Sequence, residues 1–338
     1  ATPVPPIDVW HVQQLGAETL LRGQNPYAFG SPNIYGPGTP YLDPAVLSPD
    51  GMAILAYPYM PLVLLLDLPA AALGDVRWAL LGALLAAAFL VRALGHRSLA
   101  AELAGCLLLV QPRGWAVVEM AWTEPFVLFG VLATALAVTR DRDPGASSGT
   151  GRREWVIPGI VAALAASTKQ YVPLLLVPFV TLLPPRARLR AVVLAAAGAA
   201  LIVLPFLDAD PGAFVRGVVG FQLRQPFRPD ALSWPAAIHA QGGPRLPPWP
   251  AFLAAGLALF VLLRRESGGA RAMLAASFAW LVFVALNKQA FLNYYWLAVG
   301  LLCASVAMLT APASPPRAPD PAAPPHASPP RHPPHPRP

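Results

Sequence analysis

Charge is scarce in this chain. Only 12% of its 338 residues are Asp, Glu, Lys or Arg, against 56% hydrophobic residues. Soluble domains carry roughly 25% charged residues, so an ordinary water-soluble domain is excluded. The mean hydropathy of +0.52 agrees with a membrane composition. Cysteine is nearly absent. Cys106 and Cys303 both lie in apolar runs, which excludes a disulfide framework and speaks against redox chemistry. No phosphate-binding glycine loop, His/Cys zinc spacing, GxSxG elbow or paired-Asp motif occurs. Asp8 is followed by Val9 and Trp10, so there is no DxD metal clamp; neither a cofactor nor a divalent metal is expected. The net charge of +7 is not arranged as basic residues interleaved with aromatics on a polar face. Nucleic acid is therefore discounted as a partner, and membrane sidedness accounts for the charge better.

What is abundant is alanine, leucine and proline, with 42 prolines in all. Apolar runs between breakers predict an all-α polytopic membrane protein with about nine transmembrane helices. The runs are 77–95, 98–112, 116–139, 155–168, 171–183, 191–207, 250–264, 272–287 and 291–311. Basic residues concentrate in alternate loops, at 92–97, 140–153, 186–190 and 264–271, and in the tail. Those loops are assigned to the cytoplasm. Residues 1–76, 112–115, the neighbourhoods of Lys169 and Lys288, and loop 208–249 then lie outside. With the first residue already external, a transmembrane helix is expected to precede it. The last segment, 312–338, is dominated by proline and reads as a disordered cytoplasmic tail. This division gives an external loop at 1–76, a helix bundle at 77–311 and the tail.

Before the bundle stands a polar and aromatic headpiece that membrane spans do not need in order to fold. Asp8 opens it, Asn25-Pro26-Tyr27 follows, and Tyr57-Pro58-Tyr59-Met60-Pro61 closes it. The apolar run 52–73 is interrupted by Pro58, Pro61, Pro69 and Asp67. If it crossed the bilayer, the sidedness of every later loop would invert, so it is expected to be a re-entrant or interfacial helix.

Ionisable groups at membrane depth default to a functional reading. Glu119 and Glu124 sit five residues apart, about 140° around a helix, so they do not form one carboxylate pair. They either line a polar cavity or lock helices together as ion pairs, and Pro125 after Glu124 is expected to kink that span. Lys169-Gln170 and Lys288-Gln289 repeat one dipeptide at the external membrane level. Cations there suit a lipid-linked phosphate, although snorkelling lysines have the same pattern. Arg216, Arg224 and Arg228 in loop 208–249, with Arg113, are external against the topological bias and outline a basic rim.

The succession of Asp8, LLRGQNPY, YPYMP and GDVR before a span resembles the GT-C superfamily. These are polytopic glycosyltransferases that use polyprenyl-phosphate sugars, and the bacterial mannosyltransferase-like group is the most similar. The resemblance covers residues 1–97 best. It implies an integral cell-membrane enzyme that passes a sugar, mannose favoured, from a polyprenyl-phosphate donor to an acceptor hydroxyl. The acceptor is a glycan, glycolipid or protein on the external face, and configuration inverts. The resemblance also implies that Asp8 is the general base and that Tyr57 to Pro61 occupy the family's interfacial helix. The chain departs from the pattern in having no second acid beside Asp8. Asn25, Tyr27, Tyr57, Glu119, Glu124, Lys169, Gln170, Arg224, Arg228 and Lys288 are the expected substrate-binding set. Bias toward Ala, Arg, Pro and Val suits a GC-rich bacterial genome. The alternative from another class is a membrane transporter or flippase for a lipid-linked or polar substrate, which would show corresponding interrupted helices in two halves.

Overall fold

In the computed structural model, residues 4–50, 57–139, 153–228, 230–264 and 268–311 are described. Their regular secondary structure is helical, with no extended strand among them. The proline-rich tail, residues 140–152 of the second basic loop and the first residues of the 52–73 run lie outside the described residues.

The chain begins with α1 (Asp8–Leu21), a long loop carrying one 3-10 turn (Pro44–Val46), and α2 (Pro61–Ala72). The bundle follows as α3 (Arg77–Leu94), α4 (Leu99–Val110), α5 (Pro112–Glu119), α6 (Glu124–Thr139), α7 (Arg153–Ala166), α8 (Val172–Val180) and α9 (Pro185–Ala209). Loop 208–249 folds into α10 (Pro211–Val215), a π-turn (Arg216–Gly220), α11 (Phe221–Arg224) and α12 (Trp234–Ala240). Three apolar helices close the chain: α13 (Trp249–Leu263), α14 (Gly269–Leu286) and α15 (Leu292–Leu309).

Several of the prolines are helix starters, while Pro69, Pro158, Pro178 and Pro205 lie inside helices. Pro61, Pro112, Pro185, Pro211 and Pro235 each occupy a first helical turn, where the missing N–H costs nothing and the fixed φ is already helical. Pro125 does the same for α6, which corrects the expectation of a kink inside one continuous span. The chain instead breaks completely between α5 and α6, which meet at 114°. Ala121 in the break adopts a positive φ of 53°, and Gln13 of α1 donates a hydrogen bond to its carbonyl oxygen.

Among the described residues, four helices are long and apolar enough to cross a bilayer: α3, α9, α14 and α15; the bent α5–α6 pair makes a fifth if it is one broken span. This is fewer than the nine runs read from the sequence. The runs at 98–112, 155–168, 171–183 and 250–264 form helices of 12, 14, 9 and 15 residues, short of the roughly 20 that cover the hydrocarbon. Helix α9 is the most lipid-ready element, since only 6% of its apolar window is buried within the protein. Packing joins α7 to α9, α13 to α14, α14 to α15, and α3 to both α4 and α6.

The headpiece is packed onto this bundle rather than tethered to it. Helix α2 contacts α1, α3 and α9, and the Leu62 amide bonds the carbonyl of Ser167 at the end of α7. Tyr57 is fully buried between the rings of Tyr27 and Tyr59 and lies flat against Gly16 of α1. A Cβ at Gly16 would approach Tyr57 Cδ2 to 2.8 Å and Leu64 Cδ1 to 3.4 Å. A Cβ at Gly217 would likewise meet the Tyr57 carbonyl at 2.7 Å, so two glycines admit the close packing of this segment, one on its ring and one on its backbone. Gly16→Ala should therefore destabilise the protein by about 1–3 kcal/mol through overpacking, outweighing the gain of about 1 kcal/mol in helix propensity. Thermal unfolding of the purified protein reads the sign, and a variant more stable than the parent would overturn this packing account.

Candidate functional site

A cavity of about 540 Å³ lies where the headpiece, loop 208–249 and the starts of α8 and α15 meet. This is within the size range of small-molecule sites. Asp8 lines it, as the first residue of α1 after an extended Ile7, where a carboxylate also suits the positive end of the helix. The Tyr35 hydroxyl donates to Asp8 Oδ1 at 2.9 Å and accepts from the Asp8 amide at 3.2 Å, so one tyrosine fixes both main chain and carboxylate. Burial raises the Asp8 carboxyl above its ordinary value, while the Tyr35 hydrogen bond and the positive charge of Arg228 partly oppose that rise. Burial and the neighbouring Asp8 charge together push the Tyr35 phenol up, so Tyr35 serves as a donor rather than as a base.

Arg228 lies on the same cavity. Its guanidinium carbon is 4.6 Å from the ring centres of both Tyr41 and Phe291, a geometry in which stacking and cation–π attraction hold the planar head in place. Its Nε and Nη2 donate to the two Asp230 carboxylate oxygens at 2.9 and 2.7 Å. The Asp230 side chain is 48% exposed, so this pair faces solvent and contributes little to stability. The guanidinium is thus fixed in position while its partner is exchangeable.

Lys169 is the second cation on the cavity, and its situation is the reverse. Its ammonium pairs with Glu124, whose side chain is completely buried, and the same Glu124 oxygen accepts from the Tyr171 hydroxyl at 3.0 Å. The rings of Tyr59, Tyr171 and Tyr294 stand 5.4–5.5 Å from the ammonium. Its charge is therefore already compensated within the protein. Gln170 beside it donates to the carbonyls of Pro58 and Val218 at 3.1 and 2.9 Å, tying the YPYMP segment to the π-turn.

Of the expected site residues, the structure brings Asp8, Lys169, Gln170 and Arg228 to one cavity, with Glu124 directly behind Lys169. It does not bring the others. Asn25 closes a turn by accepting from the Tyr27 amide, and Tyr27 is buried with its hydroxyl on the Tyr59 carbonyl. Tyr57 is core. Glu119 faces Arg77 at 3.5 Å, and Arg77 pairs with Asp75, which also accepts from Trp10. The GDVR segment is thus a latch between α1, α3 and α5. Arg224 lies at the exposed end of α11, outside the cavity lining. Lys288 donates to the Leu223 carbonyl, while its neighbour Gln289 does line the cavity. The two Lys-Gln dipeptides therefore share only their glutamines at the site.

Sequence reading missed Tyr35, Tyr41, Trp122, Phe291 and Asn293. A tyrosine-rich loop of no periodicity was the one available signal for the first two. Among the described residues, no three His, Cys, Asp or Glu side chains gather in a metal-holding group. No known protein family, curated protein or solved structure matches this chain.

Proposed function

We propose that this multi-pass membrane protein is a glycosyltransferase that moves a sugar from a polyprenyl-phosphate donor to an acceptor hydroxyl, with inversion. The observation that carries the reading is a Tyr35-held carboxylate and a ring-held guanidinium on one cavity. Inverting transfer needs a base to take the acceptor proton as its oxygen attacks the anomeric carbon; Asp8 fills that role. It also needs a cation where the departing phosphate gathers charge. Arg228 is the better candidate, because its partner Asp230 is solvent-exposed and a phosphate can replace it bidentately. Lys169 adds a hydrogen-bond donor more than a free charge.

In this reading the cavity faces the outside of a bacterial cell membrane, α2 lies at the interface and the C-terminal tail is cytoplasmic. Nine crossings result if the bent α5–α6 pair and the short helices α4, α7, α8 and α13 complete their passage with flanking residues. Mannose is the favoured sugar, on the strength of the GT-C resemblance alone. The break at α5–α6 is what favours the second reading, transport, since discontinuous helices build midplane sites.

Incubating the full chain in membranes with a panel of polyprenyl-phosphate sugars, followed by mass spectrometry, tests the proposal. A glycosylated lipid or glycan whose formation falls at least about tenfold in Arg228→Gln is expected. Donor that crosses the bilayer unconsumed, with no product from any sugar, would reject transfer in favour of transport.

A further inference from the structure

A second cavity, of about 450 Å³, lies at the opposite end of α7 from Lys169, roughly 20 Å away along that helix. Glu154 and Trp155 of the first turn of α7 line one side, and Pro184, Arg186 and Arg190 of the α8–α9 turn line the other. Arg186 and Arg190 stand four residues apart, so both heads reach the same side of α9. Neither is within ion-pair distance of a carboxylate among the described residues, although Glu154 lines the same cavity. Arg188, between them, is engaged differently. It donates to the carbonyls of Thr181 and Leu183 at 2.8 and 3.2 Å, which clamps the end of α8 to the start of α9 and leaves its charge uncancelled. With Arg153 opening α7, four arginines stand against one acid, Glu154, in the opening turns of these two helices.

One turn deeper the same faces become apolar. Ile157 continues the Glu154 face of α7 and Val193 continues the Arg190 face of α9, and both are largely exposed. The helices are held side by side at Gly159 and Gly198, where a Cβ would approach Leu194 to 2.9 Å and Ala163 to 2.8 Å. Helix α9 is also the element that buries least of itself in the protein. A cationic cavity at the end of a membrane-crossing helix, giving onto lipid-exposed apolar faces, has the order of a phospholipid: charged head first, then chains. We propose that this cavity binds an anionic glycerophospholipid, with the phosphate between Arg186 and Arg190 and the acyl chains along α7 and α9. Trp155 suits the headgroup level, and Glu154 is an acceptor for the hydroxyls of a glycerol headgroup. The site is independent of the transferase reading.

The test is native mass spectrometry of the full chain in detergent, titrated with phosphatidylglycerol, with phosphatidylethanolamine of the same acyl chains, and with sn-glycerol 1-phosphate. The parent should bind phosphatidylglycerol at least about fivefold more tightly than phosphatidylethanolamine. Arg186→Gln/Arg190→Gln should weaken phosphatidylglycerol binding about tenfold or more and abolish that preference. Arg186→Lys/Arg190→Lys, which keeps both charges, should retain it. Equal binding of the two lipids by the parent would overturn the assignment, as would an undiminished preference in the glutamine variant. A lysine variant as weak as the glutamine variant would show that packing rather than charge had been removed, and would overturn it too. Soluble glycerol phosphate bound as tightly as the lipid, and lost in the glutamine variant, would assign the cavity to a free phosphate ester and reject the lipid.

Discussion

Asp8→Asn should lower sugar transfer by about two to four orders of magnitude, the range over which a positioned general base contributes, while raising the stability of the fold. The two effects share one cause. Burial raises the Asp8 carboxyl in the folded protein, so the folded state holds its proton more tightly than the unfolded chain does. A group of that kind stabilises the fold below its unfolded value of about 3.8, and that contribution is lost as pH rises through the elevated folded value. At neutral pH the ionised carboxylate is therefore a burden on the fold, retained for chemistry, and the neutral amide removes it. Transfer itself should have an acidic limb above the ordinary carboxylate range, because only the ionised form accepts a proton. Tyr35→Phe deletes the hydrogen bond that favours ionisation and should move that limb to still higher pH. A purely structural role for Tyr35 would change the amount of folded protein without moving the limb. Rate–pH profiles with thermal unfolding of the same preparations check both. Full transfer by Asp8→Asn would remove it as the base.

How much of this was legible beforehand depends on the range over which each signal acts. Helix α9 was readable in its apolar stretch 191–207, although the helix itself runs from Pro185 to Ala209 and continues through Pro205. The break between α5 and α6 was half legible: Pro125 was visible, but its effect was assigned to a kink. The turn at Met120–Thr123 depends on Ala121 accepting a positive φ under a hydrogen bond from Gln13, more than a hundred residues away in sequence. Asp8 stood out as an isolated carboxylate before an amphipathic stretch. Tyr35, which orients it, lies 27 residues on in a loop with no period to betray which way it points. The Lys-Gln repeat is the clearest case of a pattern that tertiary structure divides. Lys169 is enclosed by α6, α8 and α15, whereas Lys288 meets the end of α11 instead. Identical dipeptides carry no information about what packs over them.

Breaking the Lys169–Glu124 pair from one side should be the most damaging substitution for stability. Lys169→Met leaves a carboxylate with no accessible surface, held by the Tyr171 hydroxyl alone, and Glu124→Gln leaves an ammonium among three rings with its countercharge gone. Each should cost about 3–5 kcal/mol, the usual penalty for an uncompensated buried charge. The double variant Glu124→Gln/Lys169→Met removes both charges, and replacing a buried pair by neutral groups of similar volume is often nearly neutral. It should therefore recover most of the loss, giving a coupling energy far above the roughly 0.5 kcal/mol within which independent sites add. Unfolding midpoints of the parent, both singles and the double in one detergent supply the cycle, and additive losses would show that the pair is not the unit it appears geometrically. The double variant also separates the two cations on the cavity. If Lys169 brings no free charge to the substrate, a refolded double variant keeps its affinity for inorganic phosphate, whereas Arg228→Gln loses it with the Lys169–Glu124 pair intact. Loss of phosphate binding in the double variant would return Lys169 to the phosphate and leave Arg228 as a rim charge.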